Sequence, residues 1–324
     1  MEISEKYAAH LYGNYPYQKL IPGINSDSVY HYTTSDVLLK IVEKKQLRFS
    51  NRLYLNDCSE GQYVLDLCIK RIDDIWSPNC KFSKSDFIQC LERLKENLNL
   101  QQFQFYQVSL STDGDNLTMW NCYSKGDGIN IQFSKSLLLD SLQNHLHNTV
   151  VGSIALLHGL VIYDEDEQME ILRKLLSDFS ETGETLDEWG LFTSWAVLNI
   201  GTFFKHKGFR DEREYRIAYN LFCNLNDPTK CFSLFSDNDF NKPYSFDVYQ
   251  KEGMMVPFVD VDVSSDSFQA ITLSPRIATE YYADGLKLML YKHGPWENNI
   301  SIKNPVFRYD SNHKKVNQIA PRWY

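Results

Sequence analysis

Glu212, Glu214 and Arg216 alternate along the stretch DEREYRIAY, and that spacing has a chemical meaning if the stretch is a strand. Side chains alternate along a strand, so these three share one face with the carboxylates about 7 Å apart, while Tyr215, Ile217 and Tyr219 take the other. An apolar face that buries itself leaves the charged face lining a cleft. There an acid pair can orient hydroxyl groups, take a proton or steady a positive charge. Two neighbouring carboxylates should raise one pKa, with Arg216 moderating the rise.

Two earlier clusters are candidates for the same cleft. His31, Tyr32, Thr33 and Thr34 stand between a short apolar strand and an amphipathic helix, and NRLYLNDCSE supplies Tyr54, Asn56, Asp57 and Glu60. Each cluster also has an ordinary structural reading. Thr34, Ser35 or Asp36 can cap a helix beside a half-buried histidine, Asn56 or Asp57 can start the next helix, and EREYR can be a salt-bridged exposed strand face.

The elements that must position these residues follow from periodicity. Val37, Leu38, Ile41 and Val42 predict a helix that ends near Lys44, Lys45 and Gln46. Further helices are expected over 59–75 and 85–98, resembling a helical insertion, and over 166–179 through Met169, Leu172, Leu175, Leu176 and Phe179. LFTSWAVLNIGTFFKHKG reads as a buried helix with Lys205, His206 and Lys207 in its last turn and Gly208 as its stop. FQFYQVSLS and DGINIQFS alternate as strands, the latter with Ile129, Ile131 and Phe133 on one face, and MWNCYSKGDG between them predicts a short helix and a glycine turn. Strands return at MMVPFVDVDV and QAITLSP, before a helix over 278–291. Residues 1–27 read as an irregular lead-in punctuated by Pro16, Pro22 and Gly23.

Bulk properties exclude several classes. The formal charge of −9 argues against a broad nucleic-acid footprint and leaves room only for a locally bound strand. Seven cysteines without a CxxC pair fit neither a disulfide framework nor a zinc ribbon, and point to a reducing cytosol. The N-terminus lacks an apolar signal core, and the apolar stretch 191–204 is shorter than the roughly 20 residues of a spanning helix, so no membrane role is expected. The histidines of NHLHN have no acidic or cysteine partners nearby, so no metal site is expected. Rossmann, P-loop and nucleophile-elbow motifs are absent from the sequence.

The order of the parts carries a resemblance. A histidine-tyrosine-threonine strand end, an amphipathic helix, the LRFS strand, an aromatic some twenty residues after the histidine and a late Glu-x-Glu strand resemble the ADP-ribosyltransferase superfamily. More narrowly, four motifs in order resemble an uncharacterised bacterial domain family. They are His31-Tyr32-Thr33, then Asn56-Asp57 with Glu60, then Trp120 and Tyr123 with Gly126 and Gly128, then Glu212, Glu214 and Arg216. The resemblance spans about 28 to 308, with Phe209 where tryptophan is frequent, Ser109 in place of a cysteine and Ser274 near an expected glycine.

The resemblance implies an α+β fold over 28–324, with a split, twisted sheet and helical insertions near 59–100 and 165–206. It implies NAD as co-substrate and transfer of ADP-ribose to a macromolecular acceptor, nucleic acid or protein. Such bacterial enzymes are often cytoplasmic toxins or antiviral effectors, with an antitoxin or regulatory protein as a further partner. Breaking the nicotinamide–ribose bond passes through an oxocarbenium-like state. His31 and Thr33 would then bind ribose hydroxyls, Tyr54 would stack on nicotinamide with Tyr32 as second choice, and Asn56, Asp57 and Glu60 would close over the cofactor or position the acceptor. Glu214 would steady the cation and Glu212 would act on the acceptor as general base, with Arg216 beside them. Trp120 and Tyr123 would pack beneath the cleft. Two alternatives stay open: a non-catalytic nucleotide-sensing or protein-binding module, and an RNA 2′-phosphotransferase-like enzyme needing Arg48, Arg52 and Arg216 around one cleft.

Overall fold

The computed structural model describes residues 17–55, 60–97, 103–125, 128–149, 156–181, 185–224, 227–232, 242–243, 246–251, 253–277, 280–294, 300–303, 308–309 and 315–316. Within the lead-in, Tyr17–Leu20 forms one helical turn, α1, and Tyr17 and Ile21 are buried in a core. The chain continues through β1 (Ser28–Thr33), α2 (Ser35–Lys44) and β2 (Gln46–Asn51). Next come α3 (Glu60–Lys70), α4 (Ile72–Ile75), α5 (Lys84–Asn97) and β3 (Phe103–Ser111). After them run α6 (Leu117–Cys122), β4 (Ile129–Ser134), α7 (Lys135–Thr149) and β5 (Leu157–Leu160). Helices α8 (Glu165–Asp178) and α9 (Leu186–Gly201) lead into β6 (Glu214–Asn224) and β7 (Asp227–Phe232). Strands β8 (Lys242–Pro243), β9 (Asp247–Lys251), β10 (Met254–Asp262) and β11 (Phe268–Leu273) precede α10 (Glu280–His293) and β12 (Ser301–Lys303).

The architecture is mixed α+β. One 12-stranded sheet runs in the order β12-β11-β4-β1-β3-β2-β10-β9, with β6 pairing with β3 and carrying β5 and β7. Strand β3 is the pivot. One edge pairs with β6 from Phe103↔Phe222 to Ser111↔Glu214. Its other edge is shared, with Tyr106 and Gln107 opposite β2 and Ser111 opposite Tyr30 of β1. Among the described residues, 108–110 have no strand partner on that edge, so the sheet is split there.

Each face of the sheet has its own core. On one, Val29, Leu110, Ile131, Phe133, Tyr215 and Ile217 meet α2, α7 and α10 through Leu38, Leu142 and Leu286. On the other, the helices of the two expected insertions join in one layer, where Val64, Leu91, Leu172, Trp189 and Phe203 pack together over Phe105 and Ala218. Residues far apart in sequence thus become neighbours by burying apolar helix faces, each large side chain contributing about 1.5–3 kcal/mol.

One expectation is corrected and one element is new. The helix expected to reach Gly208 stops at Gly201 with Thr202 as its cap, and the chain then turns into β-bridge pairing between Ile162 and Phe204. The residues after Ser134 form α7, a helix that periodicity did not single out because its apolar stripe is weak. Among the described residues no helix is long and apolar enough to cross a membrane.

Candidate active site

The acid pair is not the two-residue step of a regular strand. Lys207–Glu212 is a 3-10 turn, Arg213 takes left-handed backbone (φ 47°), and β6 begins only at Glu214. Left-handed backbone is costly for an arginine and holds only when neighbours enforce it. Here Thr112 N–H and its hydroxyl both donate to the Arg213 carbonyl, and the Ser111 hydroxyl donates to the Glu212 carbonyl at 2.9 Å.

Nor does the charged face stand open. Glu214 and Arg216 are 2% and 1% exposed. The Arg216 guanidinium forks onto Glu214, Nε to Oε1 at 2.7 Å and Nη2 to Oε2 at 2.9 Å. Lys205 joins both acids, its Nζ lying 2.7 Å from Glu212 Oε2 and 3.4 Å from Glu214 Oε2. Burial by itself would raise the Glu214 pKa. The charges of Arg216 and Lys205, with hydrogen bonds from Arg216 and Ser109, outweigh it and hold the group at about 2. The expected rise is therefore corrected: paired cations dominate over the neighbouring acid.

Glu212 is the less enclosed carboxylate, with a side chain 10% exposed. Its Oε1 accepts from the Tyr123 hydroxyl at 2.7 Å and its Oε2 from Lys205, which leaves a lone pair on each oxygen for a further donor. Burial, then the Glu212 charge, push the Tyr123 phenol upward, so it stays a donor. Helix α6 is fixed in turn by Asn116, which caps it and donates to the Asp211 carbonyl at 2.6 Å. Trp120 meets Tyr32 edge-on, with ring centroids 4.8 Å apart, and Tyr32 donates to the Asp113 carbonyl. Burial raises the Tyr32 pKa, which keeps that donor protonated.

One residue on the floor is exposed. Ser109 lies on the central strand β3 opposite Arg216, between buried Val108 and Leu110, yet its own surface is open. Its hydroxyl is near enough to lower the Glu214 pKa, and its backbone near enough to raise that of the His31 ring across the split. Burial holds His31 at about 4, with the Ser109 bond opposing that shift, so the ring is neutral near pH 7. Its Nδ1 is buried with no hydrogen-bond partner.

The predicted residues therefore divide. By register His31 stands in a row with Ile131 and Ile271, whereas Glu214 stands in a row with Ser111 and Tyr30. The two leave the sheet on opposite faces, and Ser109 is what they share. This corrects the expectation that both line one cleft. Thr33 pairs with Ile129 beside the core and is 7% exposed, away from the acids. Tyr32 is committed to Asp113, Asn116 and Trp120 rather than open for stacking. Tyr54 ends the 3-10 turn Arg52–Tyr54 and is partly exposed. Asn56 and Asp57 lie outside the described residues, as does the Glu60 side chain. Of the three arginines, Arg52 and Arg216 converge on Thr202 past the end of α9, to its hydroxyl at 2.9 Å and to its carbonyl respectively, while Arg48 pairs with Asp260.

Sequence reasoning gave Lys205 and Ser109 no role in the site and took Tyr123 as packing beneath the cleft, where its hydroxyl in fact holds Glu212. Lys205 reads as part of a basic helix end, although its place directly after Phe203-Phe204, seven residues before Glu212, is a signal for a cation at the edge of the core. Gln168 fixes it there by donating to the carbonyls of Ile162 and Lys205. A family model described as "Protein of unknown function (DUF2971)" matches residues 119–217, a stretch that holds Trp120, Tyr123, Lys205, Glu212, Glu214 and Arg216. No curated protein and no solved structure matches the chain.

Proposed function

We propose that this chain breaks the nicotinamide–ribose bond of NAD and transfers ADP-ribose to a macromolecular acceptor, with Glu212 rather than Glu214 as the working carboxylate. The observation that carries the reading is Glu212, the less enclosed acid of the buried cluster, held by the Tyr123 hydroxyl and Lys205 Nζ, each at 2.7 Å. Support also comes from the convergence of three of the four spaced motifs: Trp120 on Tyr32, and Tyr123 on Glu212.

The roles follow from the geometry. Glu214 is saturated by Arg216 and Lys205 and acts as a fixed anion that holds Lys205 in place. Glu212, held by Tyr123 and Lys205, has the capacity to accept a ribose hydroxyl and to place negative charge beside the cation that develops as nicotinamide departs with the bonding electron pair. The acceptor nucleophile then bonds to the ribose carbon, and its proton passes to Glu212 or to water. Nicotinamide release from NAD by the purified chain, compared between wild type and Glu212→Gln, tests the reading. A fall on the order of 100- to 1,000-fold is expected.

A non-catalytic module of the same fold is the second reading. It is favoured by the near-complete mutual satisfaction of Glu214 and Arg216 and by the placement of His31 and Thr33 away from the acid face. Absence of nicotinamide release from wild type in the presence of cell-extract acceptors decides for it.

A further inference from the structure

Phe209 is 37% exposed in the middle of the turn that covers the ion cluster, and Lys205 Nζ lies over its ring, 4.6 Å from the centroid. A large aromatic side chain left open beside buried charges contributes little to the core. The turn nevertheless holds it firmly. Phe209 N–H donates to the His206 carbonyl, His206 Nδ1 accepts from Gly208 N–H, and Asn116 ties the far end at Asp211. Its neighbours Lys207 and Arg210 are exposed cations in the same turn, suited to a phosphate group.

We propose that Phe209 is a stacking platform for the purine base of a nucleotide at the mouth of the site. The inference deepens the NAD reading and rests on it for the identity of the site. The ammonium of Lys205 draws the π density of the ring toward itself, so a second cation on the free face is disfavoured and a neutral, electron-rich base is preferred. Adenine meets that description, whereas the cationic nicotinamide ring of NAD does not. The same chemistry is offered by the adenine of the dinucleotide and by an unpaired adenine of a nucleic-acid acceptor.

Calorimetric titration of the full chain with NAD, AMP, nicotinamide mononucleotide and a short single-stranded dA oligonucleotide tests the platform, using wild type, Phe209→Ala and Phe209→Trp. Truncation to alanine should weaken adenine-containing ligands on the order of 10- to 100-fold, and tryptophan should restore them. Loss confined to NAD and AMP assigns the dinucleotide as the source, and loss confined to the oligonucleotide assigns the acceptor. Equal affinities in wild type and Phe209→Ala, loss of nicotinamide mononucleotide alone, or no binding of any adenine ligand by wild type overturns the proposal. Nicotinamide release is measured in parallel. Phe209-dependent binding without release rejects the transferase reading and keeps the platform, whereas release with Phe209-independent binding does the reverse.

Discussion

Lys205 Nζ lies 2.7 Å from Glu212 Oε2, and this contact joins a segment that follows a buried helix to the carboxylate at the mouth of the cluster. The same ammonium reaches Glu214, so one cation serves an enclosed acid and a more open one. Their different surroundings give the two glutamates different expected consequences on substitution.

Glu214→Gln should act chiefly on stability. It leaves Arg216, 1% exposed, without its carboxylate, and breaking a buried pair costs about 3–5 kcal/mol. Chemical denaturation should show that loss, whereas Glu212→Gln should cost far less. Similar losses for both would reject the division of roles.

The depressed Glu214 pKa fixes a sign for acid behaviour. Its folded value of about 2 lies below the ordinary 4.5, so its contribution is complete above pH 4.5 and is lost as pH falls toward 2. Midpoints of urea unfolding followed from pH 5 to pH 2 should fall steeply in wild type and less in Glu214→Gln.

His31 works in a higher window. Burial lowers its pKa from 6.5 to about 4, so the folded state binds the proton more weakly than the unfolded chain. Stability is therefore full above pH 6.5 and declines toward pH 4, by a total on the order of 3 kcal/mol. His31→Gln should flatten the slope between pH 6.5 and 5, with the remainder belonging to His158, also lowered by burial. An unchanged slope would remove His31 as a source.

Tyr123→Phe deletes the hydroxyl that orients Glu212 while keeping the ring. If Glu212 is the working carboxylate, nicotinamide release should fall by about tenfold or more at saturating NAD, the cost of one charge-assisted hydrogen bond, with KM little changed. A loss seen only in KM would place Tyr123 in binding instead.

Gly128→Ala should destabilise the chain by at least about 2 kcal/mol. The added methyl would lie 2.1 Å from the Thr33 carbonyl and 2.8 Å from the Ser124 carbonyl, both backbone atoms that cannot swing aside. A melting temperature equal to wild type would show that β1 and the loop after α6 can separate.

Local pattern made most elements legible. Alternation placed β3, β4 and β10, helical spacing placed α2, α5 and α8, and the apolar row of Ile129, Ile131 and Phe133 is fully buried as expected. Periodicity could not see the left-handed Arg213, because that backbone is imposed by Ser111 and Thr112, a hundred residues earlier. It could not see the end of α9 at Gly201 either, since a buried apolar run looks alike as helix or as extended chain.

The sequence by itself determined that two glutamates and an arginine would come close together, because they are near neighbours in the chain. Only the tertiary structure decided that Lys205 neutralises them, that Tyr123 holds one of them and that His31 meets Ser109 from the opposite face of the sheet. Those relations depend on which strands pair with β3 and which helices share one layer. Burial of apolar surface over long chain separations sets both, and no local spacing encodes it.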